Sequence, residues 1–403
     1  MRFRHPDGTA VHLAYCSNVH AAEDLEGVVA QLARYAEPVR EELGSELLGI
    51  GLWLARDAVA RLERDPDAVA TLAAELRGRG LETVTLNAFP YQGFHRDVVK
   101  KDVYAPDWAD EERLRYTLAC ARVLAGLLPP DAQRGSVSTL PLAWREPWPA
   151  DRADRARRSL DRLSAGLHAL HRETGRRIRV AFEPEPGCVV EDTVQAAREF
   201  GGLDPDTLGV CLDLCHLAVQ FEDPAAALPR LAAAGAAVVK VQVSAALKAD
   251  RPADPAAREA LARFAEPRFL HQTRAARDGR GDCGGGAVCA VDDLPDALAG
   301  GLPDDRPWRV HFHSPLHAAP APPLRATTAV LDDALSGLLG GAAARCDHFE
   351  VETYTWSVLP EAQRPNGDRG LIVGLAAELG WARRRLLALG LTPATALSKE
   401  AAA

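Results

Sequence analysis

The chain has 403 residues, 47% hydrophobic and 26% charged, with a formal net charge of -9. That composition describes a globular protein with room for one large core, and the acidic balance excludes bulk attraction to nucleic acid or anionic lipid. No apolar run approaches the roughly 20 residues that span a bilayer, the polar start carries no secretory signal, and eight cysteines in so long a chain make no disulfide scaffold, so the reducing cytoplasm is the default compartment.

Residues 10–16 alternate as a first strand and lead through Asn18 and His20 into a helix over about 23–43. A second strand follows at 47–54. In the third, at 82–88, Val84 and Leu86 oppose Thr83, Thr85 and Asn87. Its exit loop is long and aromatic, carrying Phe89, Tyr91, Phe94, His95, Tyr104 and Trp108. It reads as a substrate lid or as a segment whose aromatics pack on a rim. Lys100 and Lys101 within it would hold a phosphate or carboxylate, or form a solvated pair.

A helix at 111–128, a strand at 137–142 and an amphipathic helix at 151–174 come next. The strand from Arg179 ends on Glu183 and Glu185. Asp192 is placed to cap a helix reaching Phe200. The strand from Val210 puts Val210, Leu212 and Leu214 on one side and Cys211 and Asp213 on the other, with His216 three residues past Asp213. A carboxylate at a strand exit is what a barrel strand delivers to an active site. After a helix at 224–234, the strand at 239–244 carries Gln242.

The rhythm then breaks. An insertion over about 250–305 holds a helix at 255–264, a hairpin with a Gly-rich tip, and a helix at 294–299. Cys283 and Cys289 lie in that tip without a histidine at zinc spacing, which argues against a zinc site. A strand at 310–313 carries His311 and His313, and one at 349–356 carries Glu352 and Tyr354. Helices are expected at 326–340 and 370–389, and a frayed tail over 391–403. Strands separated by helices predict a parallel α/β barrel, but this count gives nine strand candidates for eight places, so one lies outside.

On these strands apolar residues take one face, and Glu183, Asp213, Gln242, His311, His313 and Glu352 the other. Carboxylates packed together repel, and a divalent ion relieves them. Oxygen-rich sets suit Mn²⁺ or Mg²⁺, and added imidazoles favour Zn²⁺ or Fe²⁺. Such a site fits proton transfer beside a carbonyl, with one carboxylate as base and a His orienting a hydroxyl.

Glu183, Asp213-x-x-His216, Gln242 and Glu352 resemble the site series of the xylose-isomerase-like TIM barrel superfamily of sugar phosphate isomerases and epimerases. Within it, Tyr15 to His20, Leu86 to Tyr91, Glu183 to Cys188, Lys240 to Ser244, His311-Phe312-His313 and Glu352 to Trp356 resemble the metabolite traffic protein EboE family over roughly residues 10 to 385. The resemblance implies a single (β/α)8 TIM barrel domain over 1–390, with the inserted hairpin and long loops at its C-terminal face. It implies one divalent metal ion (Mn, Zn, Fe or Mg) held by Glu183, Asp213, Gln242, His313 and Glu352. Glu183, His216, Glu352 and His313 would be catalytic. Asn18, His20, Asn87, Tyr91, His95, Lys101, Trp108, Glu185, His311 and Tyr354 would bind a sugar-like or cyclitol-like metabolite.

Members of that family are encoded beside a sugar-cyclase-like enzyme and a prenyltransferase-like membrane protein, so contact with cluster-encoded membrane proteins is open to it, as is a homodimer. Gln242 departs from the superfamily, which usually offers His there. If Gln242 is not a ligand, His311 or His313 supplies the nitrogen. The alternative readings are a non-catalytic metabolite-binding or trafficking protein and, with the least weight, a metal-dependent endonuclease, against which the acidic charge speaks.

Overall fold

The computed structural model describes residues 1–132, 134–276 and 288–394. Eight places of a closed parallel barrel are filled by strands whose side chains are buried almost throughout, as near-continuous apolar runs between helices require. They are β1 (Ala10–Cys16), β2 (Leu48–Trp53), β3 (Thr85–Asn87), β4 (Arg134–Thr139), β5 (Arg177–Phe182), β6 (Leu208–Asp213), β7 (Val238–Val243) and β8 (His348–Val351). Each pairs in parallel with its neighbours, and β8 pairs with both β7 and β1, which closes the ring. The third place is divided. Leu81–Glu82 pairs with the start of β2, and β3 with its end, where one unbroken strand was expected.

Helices cover the outside, among them Glu111–Leu127, Ala150–Thr174 and Gly367–Ala388. The helix expected at 23–43 runs as Leu25–Gln31 and Glu37–Glu42, joined by a wider π-helical turn at Leu32–Ala36. None of the helices among the described residues is long and apolar enough to cross a membrane. The N-terminal end of the barrel is plugged by polar groups. Arg2 binds Glu82 at 2.6 Å, and His348 Nδ1 lies 2.8 Å from Ser136 Oγ.

The ninth strand candidate is the one carrying the paired histidines. Trp308–Val310 lies outside the barrel, antiparallel to Leu247–Ala249 and Thr273–Ala276. With Val288–Val291 and Arg325–Ala326 these make a five-stranded sheet between β7 and β8. Antiparallel neighbours need no crossover helix, so alternation alone did not separate this strand from the parallel ones. The inserted sheet therefore extends beyond the span expected for it, from Leu247 to Ala326. The expected frayed tail also differs, because Thr392–Ala394 pairs with Arg2–Arg4, which in turn pairs with β1.

The Gly-rich tip with Cys283, and residues 395–403, lie outside the described residues. Among the described cysteines, Cys16, Cys120, Cys188, Cys211, Cys215 and Cys346 are free and buried, while Cys289 is disulfide-bonded.

Candidate active site

Parallel strands bring residues of equal register to one level, and side chains two apart share a face. Asp213 stands opposite Gln242 across β6 and β7. Glu183 and Glu352 follow directly on β5 and β8. The carboxylate oxygens of Glu183, Asp213 and Glu352 come within 4.8 Å of one another, all buried. The Asp213 side chain accepts from the His216 backbone N–H at 2.7 Å, so the same residue ends the strand and caps the short helix Leu214–Val219. The Ser244 hydroxyl lies 3.0 Å from both Asp213 oxygens. Asn18 and Asn87 each donate an amide N–H to Glu352 Oε1, at 2.7 and 2.9 Å.

Three atoms of the residues at this level are buried without a hydrogen-bond partner. They are Glu183 Oε2, His313 Nε2 and the amide oxygen of Gln242, whose amide nitrogen is equally unpaired. Buried polar groups are rarely left so. His313 donates from Nδ1 to the Glu352 carbonyl at 2.7 Å, which fixes the ring with Nε2 forward, 3.8 Å from Asp213 Oδ2. His313 thus reaches the carboxylates from the segment that follows the inserted strand Trp308–Val310 instead of from a barrel strand.

A second wall is built from His216, His311 and Glu185, whose ligand atoms also lie within 4.8 Å. His216 Nδ1 donates to the Pro184 carbonyl at 2.9 Å. His311 Nδ1 faces Gln272 Oε1 at 2.7 Å, and Gln272 uses its nitrogen on Tyr104 and on the Pro186 carbonyl. Both imidazoles therefore turn Nε2 towards the other, 3.0 Å apart. Glu185 accepts from the Tyr104 hydroxyl at 2.7 Å.

Electrostatics follow from depth. Burial, then the charges of Glu352 and Asp213, push the Glu183 carboxyl well above its usual range. Burial, then Asp213 and Glu350, do the same to Glu352. Burial lifts Glu185 to about 8 and lowers His216 to about 4. His311 and His313 are lowered by the same cause. A site in which Glu183, Glu185 and Glu352 resist ionisation and the imidazoles of His216, His311 and His313 are held towards their neutral forms is one that stabilises an added cation.

The cavity over these groups is small, about 60 Å³. Its floor is Glu183, Glu352, Asn18 and Asn87, with His216, His311, His313, Glu185 and Tyr354 around it. Its roof is apolar, with Phe89, Phe94, Val99 and Tyr104 from the loop after β3, and Phe269 and Leu270 from the insertion. Nothing in the residue pattern pointed to this second half of the roof. Gln272 and Ser244 were likewise without an expected role, although Ser244 continues the alternation of β7.

Five residues expected to bind substrate sit elsewhere. His20 stacks on Tyr35 at 4.3 Å, with Tyr15 OH 3.2 Å away. Tyr91 packs edge-on against Tyr116. His95 holds the Asn18 carbonyl at 2.7 Å from behind the lining. Trp108 is fully buried and bonds the Leu140 carbonyl at 3.1 Å. Lys101 lies over the Trp144 ring at 4.5 Å, with its side chain half exposed. Lys100, its neighbour, lines the cavity instead, but its ammonium is engaged by Asp293 at 2.5 Å.

Comparison with curated proteins returned no match. Among solved structures, the chain is similar to a protein of Anabaena variabilis assigned as a sugar phosphate isomerase/epimerase, with 13% identity and a TM-score of 0.50 over 95% of this chain and 100% of that one. It is also similar to an L-ribulose 3-epimerase, with 13% identity and a TM-score of 0.48 over 94% and 96%. A third is the IolI protein with a bound zinc atom, with 14% identity and a TM-score of 0.43 over 94% and 97%. At 13% identity, the likeness to the Anabaena variabilis protein speaks for the fold alone. The family model described as xylose isomerase-like TIM barrel matches residues 41–259, more than half of the chain. With the closed eight-place barrel and its C-terminal cluster of carboxylates in view, the chain belongs to the xylose isomerase-like TIM barrel family.

Proposed function

We propose that the protein is a divalent-metal-dependent isomerase or epimerase that moves a proton at a carbon beside the carbonyl of a sugar-like or cyclitol-like metabolite. The observation that carries this reading is the convergence of Glu183, Asp213 and Glu352 beside the partnerless Nε2 of His313, with the partnerless amide of Gln242 in register with Asp213. Oxygen donors with one imidazole fit Mn²⁺, Mg²⁺, Zn²⁺ or Fe²⁺, and those five residues would hold the ion. When bound, it would offset the carboxylate charge and polarise a carbonyl or chelate a diol.

The proton falls to the carboxylates. Glu183 Oε2 is buried and unpaired, so it is free to accept a proton from the substrate carbon. Glu352, aimed by the amides of Asn18 and Asn87, would enter the step protonated and deliver its own proton, so that the step ends with Glu183 protonated and Glu352 ionised. His216, held through Nδ1, offers Nε2 to a hydroxyl, and His311, Glu185 and Tyr354 offer further polar contacts. The phenylalanines of the roof exclude water from the proton in transit. His20, Tyr91, His95, Lys101 and Trp108 act in this reading from behind the lining.

The motifs like those of the EboE family favour a metabolite-handling role in the cytoplasm, with a homodimer or a membrane-protein contact as further parts of the reading. Gln242 favours one second reading, a carrier that keeps the pocket without turnover, because an amide is a weaker ligand than the imidazole usual there.

The test is metal content of wild type and Asp213→Asn purified without chelator. About one Mn, Zn or Fe per chain, lost in the variant, supports the first reading. Deuterium uptake from D₂O into keto or aldo sugars then separates enzyme from carrier. A wild type that stays metal-free after incubation with Mn²⁺ and Zn²⁺ sinks the metal-dependent reading.

A further inference from the structure

One barrel layer below the site carboxylates lies an ion pair that the proposed reaction does not use. Lys240 and Glu350 are both fully buried, with Nζ 2.7 Å from Oε2. By the two-residue period of the strands, Lys240 stands directly beneath Gln242, and Glu350 beneath Glu352. The ammonium is further held by Ser138 Oγ at 3.1 Å and the Leu86 carbonyl at 3.4 Å. Neither Glu350 oxygen makes a well-directed hydrogen bond. Room for this carboxylate exists only because residue 51 is glycine, since a Cβ there would sit 1.4 Å from Glu350 Oε1. The barrel interior is thus shaped around a charge pair in a place where apolar side chains of the same volume would pack at no lower stability.

Both charges act on the layer above. Lys240 and Glu350 each lie two residues along the strand from a residue of the cluster, so both charges reach it through only a few ångströms of protein interior. Their opposite signs largely cancel at the site, so the pair adds little net charge beneath a bound cation. Resting on the metal-site reading above, we propose that Lys240 and Glu350 are positioning residues whose cancelling charges set how tightly the Glu183–Asp213–Glu352 cluster holds a divalent ion. Removing Glu350 leaves the ammonium uncancelled under a cation site. Removing Lys240 leaves an added negative charge, or a carboxyl that neutralises itself.

The two single variants therefore differ in sign, which a purely structural pair would not produce. The experiment is a Co²⁺ titration of the full chain, followed by calorimetry and by the visible d–d bands. Glu350→Gln is expected to weaken Co²⁺ binding at least about tenfold, as a unit charge at several ångströms in a protein interior implies, with the band positions unchanged. Lys240→Met is expected to bind as tightly as wild type or more tightly, and the double variant to return to wild-type affinity. Equal weakening in both single variants, or no change in Glu350→Gln, overturns the proposal. If Glu350→Gln does not fold, the double variant decides, because wild-type affinity supports cancellation and lost affinity overturns it. A wild type that takes up no Co²⁺ instead refutes the metal-site reading itself.

Discussion

The Glu352 carboxylate is held by two amides, and each can be removed singly. Asn87 donates to Glu352 Oε1 at 2.9 Å and accepts from the Phe89 N–H at 2.9 Å, so it ties the site floor to the start of the roof. Groups behind a metal ligand typically carry 10–100-fold in affinity. Asn87→Ala is therefore expected to weaken Zn²⁺ or Co²⁺ binding by about that factor. Asn18→Ala should act in the same direction through the 2.7 Å bond. Unchanged affinity in both would show that Glu352 needs no help to face the ion. Residues such as Glu183, Asp213, Gln242 and Glu352 were legible in the sequence because a two-residue period and a strand exit define where they go. His20, Tyr91 and Trp108 were not, because an aromatic in a loop chooses its direction from neighbours distant in sequence, such as Tyr35, Tyr116 and Phe182.

Among the elements, the helix Gly367–Ala388 was expected from its pattern, but its buried Glu378 was not. Glu378 accepts from the Leu316 N–H at 2.9 Å, the Thr353 hydroxyl at 2.7 Å and the Trp356 indole at 3.2 Å. It thereby fixes the loop after β8 and the one after His313. Burial nevertheless raises its carboxyl to about 7. A carboxyl whose folded-state value is raised is held protonated by the native state where the unfolded chain has already lost the proton. Stability therefore falls as pH rises from the ordinary 4.5 towards 7, and is flat outside that window. The difference amounts to on the order of 3 kcal/mol. Glu378→Gln, which mimics the protonated form, is expected to lose this slope. Urea midpoints at pH 5 and pH 8 check it, and a variant that gains nothing relative to wild type at the higher pH would refute it. The inserted sheet was legible only as a break in rhythm. Its strand Trp308–Val310 has the same alternation as the barrel strands, and only its antiparallel partners, far apart in the chain, reveal that it lies outside.

At the scale of the whole molecule, the insertion and the loop after β3 meet over the barrel mouth, joined by the Gln272–Tyr104 hydrogen bond, the Phe94–Phe269 ring contact and a polar seam. Val99 and Lys100 donate backbone N–H groups to the Arg268 carbonyl at 2.8 and 2.9 Å. Lys100 Nζ reaches the Phe269 carbonyl at 2.8 Å and Asp293 at 2.5 Å. Its backbone holds φ at 41°, a left-handed conformation that lysine adopts only when its surroundings impose it. Lys101 and Arg145 share Asp292 beside it, at 3.4 and 2.5 Å. Most of the roof side chains are buried in this closed arrangement, so a substrate or a chelator enters when these contacts part. A partly exposed ion pair contributes little to global stability, about 1 kcal/mol or less, yet it lies at the seam that must open. Asp293→Asn is therefore expected to shift the melting temperature only slightly while speeding removal of bound metal by a chelator several-fold. Added salt should speed removal in the wild type and leave the variant less affected, since screening acts on the charge that the variant lacks. Amide exchange at Val99 and Lys100 should rise together with the rate of metal loss, because both report the same opening. Equal extraction rates in wild type and Asp293→Asn would mean that the roof opens elsewhere, and that Lys100 is tied down for the sake of the fold alone.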